Sequence, residues 1–289
     1  MSKKISYTQV SMYNECPWKW KLNYIDNHRE FKGNIHTLFG TAMHEVLQKY
    51  LNVMYNDSVK NADLLPLDKL LKARMVEEFN KMHEFGTEEH LVSQDEMEEF
   101  YQDGLAIIDF FKKRRGEYFS KKGYELIGCE VPVDLELPQG LQWVGFLDIV
   151  VKDKIRDVIQ IIDIKTSTMG WNKWQKKNKN KTDQLLYYKQ FYSMMYNHPI
   201  DKIEVEYFIV KRKLYENMDF PQKRVQKFSP ASGKPSLNNA MGNLKKFVTE
   251  AFTSEGEYNM EHEFEKLPSA KNCKWCEFKN KPELCDRRK

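Results

Sequence analysis

The chain has 289 residues, of which 41% are hydrophobic and 13% aromatic, enough apolar material for a substantial packed core and too much for a disordered chain. Charged residues make up 30% and the mean hydropathy is −0.71, so the surface is strongly solvated. Lysine and arginine number 46 against 42 acidic residues, and a net charge of +4 names no partner by itself.

Taken in chain order, residues 6 to 24 read as a helix broken at Cys16-Pro17, with Ser6 as its N-cap. Leu38, Met43, Val46, Leu47, Tyr50 and Leu51 fall at helical spacing and predict a helix over 37 to 54 that carries His44. Two more helical stretches, about 67 to 84 and 94 to 120, hold most of the acidic residues and are expected to form a helical insertion over about 60 to 121. The pattern changes at Gly123. Segments 124 to 137, 141 to 151 and 157 to 165 are rich in Val, Ile and Leu and separated by Pro138-Gln139-Gly140 and Asp153-Lys154, which predicts three strands with short turns. A helix over about 182 to 197 and a strand over 202 to 211 follow. This order predicts an α/β fold in one domain: a mixed central sheet over 123 to 211, flanked by helices.

Charge is unevenly placed. Between Glu77 and Asp103 there are ten acidic residues and one lysine, whereas Thr166 to Thr182 holds Lys173, Lys176, Lys177, Lys179 and Lys181 and no carboxylate. The first segment is expected to turn away from a polyanion and the second toward it. The opening MSKKISYTQV lacks the apolar stretch of a secretory signal, and no apolar run approaches the roughly 20 residues that span a bilayer. A soluble, reducing, cytoplasmic setting is therefore expected, with no membrane partner. Five unevenly spread cysteines fit metal or cluster binding better than a disulfide framework.

The chemistry concentrates in G-F-L-D-I-V at 145 to 150 and I-I-D-I-K-T-S at 161 to 167. Asp148 and Asp163 interrupt apolar runs on neighbouring predicted strands, where a carboxylate is costly unless a cation or hydrogen bonds compensate it. Lys165 follows Asp163 by two residues, so both side chains leave the strand on one face. Two carboxylates holding Mg2+ or Mn2+, with an ammonium beside them, suit phosphodiester hydrolysis: the metal lowers the pKa of a bound water, and the ammonium orients that water or stabilises the phosphorane. His44 adds a nitrogen ligand that Mn2+ tolerates. A lone D-x-K is an ordinary strand ion pair, and a lone helical histidine is ordinary too; G-x-x-D fifteen residues upstream and G-T-A-M-H on a helix give the pattern its weight.

These residues resemble the PD-(D/E)XK nuclease superfamily, in particular its RecB-like and Cas4-like branch with the iron-sulfur nucleases of AddB type. The resemblance runs from S-Y-T-Q-V-S-M-Y-N-E-C-P at 6 to 17, through F-G-T-A-M-H at 39 to 44, G-F-L-D and I-D-I-K-T-S, to Q-L-L-Y-Y at 184 to 188 and C-K-W-C at 273 to 276, and the order of the motifs makes it specific. It implies a restriction-endonuclease-like core and a catalytic metal at His44, Asp148, Asp163 and the backbone carbonyl of Ile164. It also implies water activation by Lys165, and Gln184 and Tyr188 orienting the lysine or the DNA backbone. At helical spacing from Leu185, Tyr188 also reads as core.

Cys273 and Cys276 form a C-x2-C pair that suits zinc and iron alike, and Cys285 follows after eight intervening residues. The resemblance adds Cys16 and implies a 4Fe-4S cluster, with zinc as the alternative, that closes the 270 to 289 segment onto the start of the chain. Cys129 reads as a small buried hydrophobe.

The loop over 168 to 181 combines Trp171 and Trp174 with Lys173, Lys176 and Lys177, an arrangement suited to phosphate contacts and base stacking on single-stranded DNA. Lys211, Arg212 and Lys213, continued by Lys223 and Arg224, form a second basic cluster that reads equally as a solvated charge run. The expected function is a metal-dependent, single-strand-preferring DNA exonuclease of replication, recombination or end processing, of bacterial or viral origin. The alternatives are a DNA-end-binding platform for a helicase, recombination or integrase-like partner, docked through the acidic helices, and a flap or junction endonuclease. No G-x-x-x-x-G-K-[ST] loop is present, so unwinding falls to a partner.

Overall fold

The computed structural model describes residues 2–29, 33–85 and 92–286. Glu88 and Glu89 of the acidic segment and residues 287–289 of the cysteine segment lie outside the described residues. The elements are β1 (Lys4–Ile5), α1 (Tyr7–Glu15), α2 (Pro17–Tyr24), α3 (Ile35–Asn56), α4 (Val59–Asp63), α5 (Leu67–Phe85), α6 (Gln94–Arg114), β2 (Tyr124–Leu137), β3 (Leu141–Asp153), β4 (Val158–Ser167), α7 (Lys173–Lys177), α8 (Lys179–Thr182), α9 (Gln184–Met195), β5 (Ile203–Lys211), β6 (Val225–Phe228) and α10 (Lys234–Ala251).

The expected break at Cys16-Pro17 divides α1 from α2: Cys16 is extended, and Pro17 opens α2 where a missing N–H costs nothing. Ser6 stands at the N-cap of α1, but its side chain makes no capping bond. Asn34 and Thr37 cap α3 reciprocally, and Ser93 and Glu96 do the same for α6. The helix expected over 94 to 120 stops at Arg114. The loop expected over 168 to 181 contains two short helices, each started by an asparagine side chain, Asn172 and Asn178. Strands β1 and β6 and helix α10 were not expected. The two strands are too short to show a period of two.

The sheet has six strands and is mixed, in the order β1-β3-β4-β5-β6 with β2 also paired to β3. One apolar core lies beneath α1, α2, α9 and α10 and includes Tyr13, Trp20, Trp143, Phe191, Tyr207 and Phe247. The other lies under α3, α5 and α6 and includes Phe39, Tyr50, Phe100, Ile149, Ile164 and Phe208. Both faces of the sheet are thus covered, which is why β4 and β5 read as nearly continuous apolar runs.

The edges of β3 position everything that follows. β2 takes one edge along its whole length. On the other edge β1 pairs at Gln142 and Trp143, and β4 pairs only from Ile149 onward. Among the described residues, no strand pairs with the stretch 144 to 148 on that edge.

Candidate active site

Regular pairing of β3 with β4 ends at Ile149 and Ile162, and Asp148 and Asp163 are the next residues on each strand. Where the strands part, the N–H of Ile164 loses a ladder partner and donates instead to Asp148 Oδ2 at 2.7 Å. In an extended strand the N–H and C=O of one residue point to the same edge, so the Ile164 carbonyl also faces the gap. His44 Nδ1 approaches the same Asp148 oxygen at 3.4 Å from α3.

Asp163 is 2% exposed, and its Oδ2 stands 2.8 Å from Lys165 Nζ. That close pair lacks the angles of a good hydrogen bond, so a buried carboxylate oxygen keeps lone-pair capacity. Lys165 Nζ donates to Gln184 Oε1 at 3.1 Å, and Gln184 Nε2 donates to the Tyr188 hydroxyl at 2.9 Å. Tyr188 is buried in the core and also belongs to this chain of bonds, so its two sequence readings hold together.

Electrostatics follow from burial. Desolvation pushes Asp148 up to about 6, against the pull of Lys165 and the Ile164 N–H. It pushes Asp163 up to about 6 as well, with Lys165 pulling down and Asp148 pushing further up. For Lys165, desolvation pulls down, but the charges of Asp163 and Asp148 outweigh it and hold the ammonium above its ordinary value. The two directions are compatible: one ammonium serves two carboxylates, and a second positive charge is needed to ionise both easily. His44 is lowered to about 4 by desolvation and by Lys165, so its ring is neutral and able to ligate near neutral pH.

The structure brings further residues to this point. Glu130 on β2 sits between Cys129 and Val131, which pair with Ile149 and Leu147 on either side of Asp148, and adopts a left-handed backbone (φ 51°). Its charge acts on both His44 and Asp148. Gln48, one turn after His44, donates to the Asp148 carbonyl at 3.1 Å and to the Glu130 carboxylate, tying α3 to both strands. The signals in the sequence were an acidic residue inside the apolar strand G-C-E-V-P-V and a glutamine at i+4 from the histidine. Gly145 avoids a crowded contact: a Cβ there would lie 3.1 Å from Tyr188 Cε1. Cys129 is half-buried rather than fully buried, with its thiol pushed up to about 12 by burial and the charges of Glu130 and Asp148.

Two expectations about nucleic-acid contacts need correction. Trp171 is 7% exposed and packs against Tyr207 and Phe228 with ring centroids 4.9 and 6.3 Å away, so it is a core residue and offers no face to a base. Trp174, 70% exposed on α7 with Lys173 over its ring, does, and Lys176 and Lys177 share that helix. In the second basic cluster, Arg212 and Lys213 are paired with Glu99 and Asp103 of α6, and Lys223 with Glu117. Glu99 and Asp103 of α6 thus balance Arg212 and Lys213, and Glu117, just beyond α6, balances Lys223.

Cys16, Cys273, Cys276 and Cys285 line one cavity of about 30 Å³ that Trp18, Lys19, Leu22, Lys266 and Phe278 also line. All four thiols are free, and no histidine or carboxylate shares the lining. Noncovalent contacts already hold the two ends of the chain together there: Trp18 Nε1 donates to the Leu284 carbonyl at 3.0 Å and Asn272 Nδ2 to the Glu15 carbonyl at 2.8 Å. Among the described residues, no three His, Cys, Asp or Glu side chains stand at metal-holding spacing, either here or beside Asp163. No helix among them is long and apolar enough to cross a membrane.

A mixed, helix-flanked sheet with two buried aspartates and a lysine where two strands part is the architecture of a restriction-endonuclease-like nuclease core. The sequence pattern of the PD-(D/E)XK nuclease superfamily matches residues 4–281, and the chain belongs to that superfamily. The fold is similar to that of a crystal structure named "Putative exonuclease" from Eubacterium rectale, with a TM-score of 0.50 and 12% sequence identity over 95% of this chain and 86% of that one. No curated protein matches the chain. The chain is thus a nuclease, and its superfamily implies DNA as substrate.

Proposed function

We propose that the chain is a Mg2+- or Mn2+-dependent deoxyribonuclease, acting as a single-strand-preferring exonuclease in replication, recombination or end processing. The observation that carries this reading is the convergence of Asp148, Asp163 and Lys165 where β3 and β4 part, with Asp148 on the Ile164 N–H and Lys165 on both Asp163 and Gln184. His44, Asp148, Asp163 and the Ile164 carbonyl would hold the metal, and the under-satisfied oxygen of buried Asp163 fits that role. The metal supplies charge for the attacking water and the phosphorane. Lys165, fixed by Gln184 and in turn by Tyr188, holds its ammonium at the attacked phosphate.

The exposed Trp174 and the lysines of α7 support contact with a single strand. The name of the Eubacterium rectale structure favours exonuclease over endonuclease action. Cys16, Cys273, Cys276 and Cys285, which line one cavity, are the thiolates that would hold a 4Fe-4S cluster, with zinc as the second choice, as a staple between the ends of the chain. A helicase or recombination protein as partner is consistent with the absence of a phosphate-binding P-loop.

The test is anaerobic protein incubated with end-labelled single- and double-stranded DNA plus Mg2+ or Mn2+, beside Asp163→Ala and Lys165→Ala. Wild type should degrade the DNA, and each variant should lose roughly 10²-fold or more in kcat while still binding it. Wild type that binds DNA ends and never cuts sinks the proposal in favour of an end-binding platform.

A further inference from the structure

Phe146 lies in the G-F-L-D motif and has no part in the machinery described above. It is 57% exposed. A single exposed aromatic side chain is ordinary on a protein surface, so exposure alone says nothing. Its position is what counts. Trp143 and Leu147 on β3 are buried in the core beneath α9, so Phe146, next to Leu147, leaves on the opposite face, the side of α3 from which His44 reaches Asp148. Two residues on one face of a strand stand about 7 Å apart. The ring is therefore a neighbour of the catalytic carboxylate, on the stretch of β3 whose open edge has neither β1 nor β4 beside it.

The geometry points to Phe146 as a stacking platform for one nucleobase of the strand held in the active site, beside the nucleotide whose phosphate meets Asp148. Pro132 lies directly across from Phe146 on β2 and is exposed, which widens the apolar floor under a flat ligand. Farther along the hairpin the same face turns acidic, with Asp134 and Glu136 exposed. A nucleic-acid strand is repelled there, so the base contact stops at Phe146 and the backbone does not follow the hairpin to its turn. An aromatic face accepts any base, so this contact grips without reading sequence. Trp174 stands on a different element, after β4, so the two exposed rings make separate contacts. The inference rests on the nuclease reading.

The experiment measures binding of a short fluorescent single-stranded oligodeoxynucleotide in EDTA, where no cleavage is needed, to wild type, Phe146→Ala and Phe146→Trp. Phe146→Ala should weaken binding about tenfold or more, and Phe146→Trp should keep it. With metal present, the loss in Phe146→Ala should fall on KM and leave kcat unchanged. An abasic residue is then walked along the oligonucleotide. At one position the missing base should remove the difference between wild type and Phe146→Ala, because the ring has lost its partner. Binding by Phe146→Ala within twofold of wild type overturns the inference, and so does a loss that persists wherever the abasic residue is placed. Wild type that binds with this Phe146 dependence but never cuts supports the contact and overturns the nuclease reading. Wild type that does not hold the oligonucleotide overturns both.

Discussion

Asp148 accepts the backbone N–H of Ile164 at 2.7 Å across the point where β3 and β4 separate. One bond thus does two jobs: it satisfies a buried amide that the end of the ladder would orphan, and it fixes the carboxylate opposite Asp163. The separation of the strands is therefore part of the site's construction. Continuous pairing at this point would give Ile164 a backbone partner and leave Asp148 without its anchor.

The first prediction concerns pH. Asp148 and Asp163 are each raised to about 6 by burial, whereas His44 is lowered to about 4 and stays neutral above that. At limiting Mn2+, kcat/KM should fall as pH drops through about 6, because protonated carboxylates bind the metal poorly. More metal should move this limb to lower pH, since the cation competes with protons. For the metal-free protein the sign is opposite. Carboxyls raised above their unfolded value bind protons in the folded state first, so their contribution to stability grows as pH falls from about 6 toward 4 and is lost as pH rises through 6. Rate profiles at several Mn2+ concentrations, with melting curves in EDTA, check both directions.

A second prediction uses the missing side chain of Gly145. Gly145→Ala puts a Cβ within 3.1 Å of Tyr188, which must shift and take Gln184 and Lys165 with it. We expect kcat to fall by up to roughly tenfold, less than the loss that a full 1 Å misplacement of a catalytic group brings, because the contact is relieved by a shift of a few tenths of an ångström. The circular dichroism spectrum should be unchanged. Phe at 188 keeps the crowding and loses the hydroxyl, so Gly145→Ala/Tyr188→Phe should recover little.

The two tryptophans after β4 should behave differently. Trp171→Ala removes a core ring packed on Tyr207 and should cost about 3 kcal/mol or more in stability, read by denaturant unfolding. Trp174→Ala should leave stability unchanged and weaken single-strand affinity about tenfold, read by anisotropy. Equal effects of both changes on DNA binding, with equal stability, would contradict the burial of Trp171.

The cysteines give a fourth prediction. Cys16→Ser should lower the melting temperature and the yield of folded protein while leaving kcat per folded molecule close to wild type, since the cysteine cavity is built from other elements than the Asp163 site. Iron and zinc analysis of anaerobically purified wild type identifies the bound group. A fall in kcat with no change in melting would place the cysteines in the chemistry instead.

Much of this protein is legible in its sequence. Asp148, Asp163 and Lys165 were visible because charge inside an apolar strand is costly, and the sequence shows the cost without showing what offsets it. The helix break at Cys16-Pro17 and the strand boundaries near Gly140 and Lys154 came from local rules about proline, glycine and alternation. Those rules act within a few residues and so can be read along the chain.

What only the tertiary structure decided depends on residues far apart in sequence. Trp171 and Trp174 look alike in the chain, yet the first is covered by Tyr207 and Phe228 and the second is not, because burial depends on which strand lies opposite. Arg212 and Lys213 read as a basic patch until α6, more than a hundred residues earlier, brings Glu99 and Asp103 against them. Glu130 and Gln48 join the site through register and helix docking. The sequence determined which groups are chemically expensive and where the chain must turn. The fold decided which charges cancel, which rings are covered and where two strands part, because those outcomes depend on contacts between distant segments that no local pattern encodes.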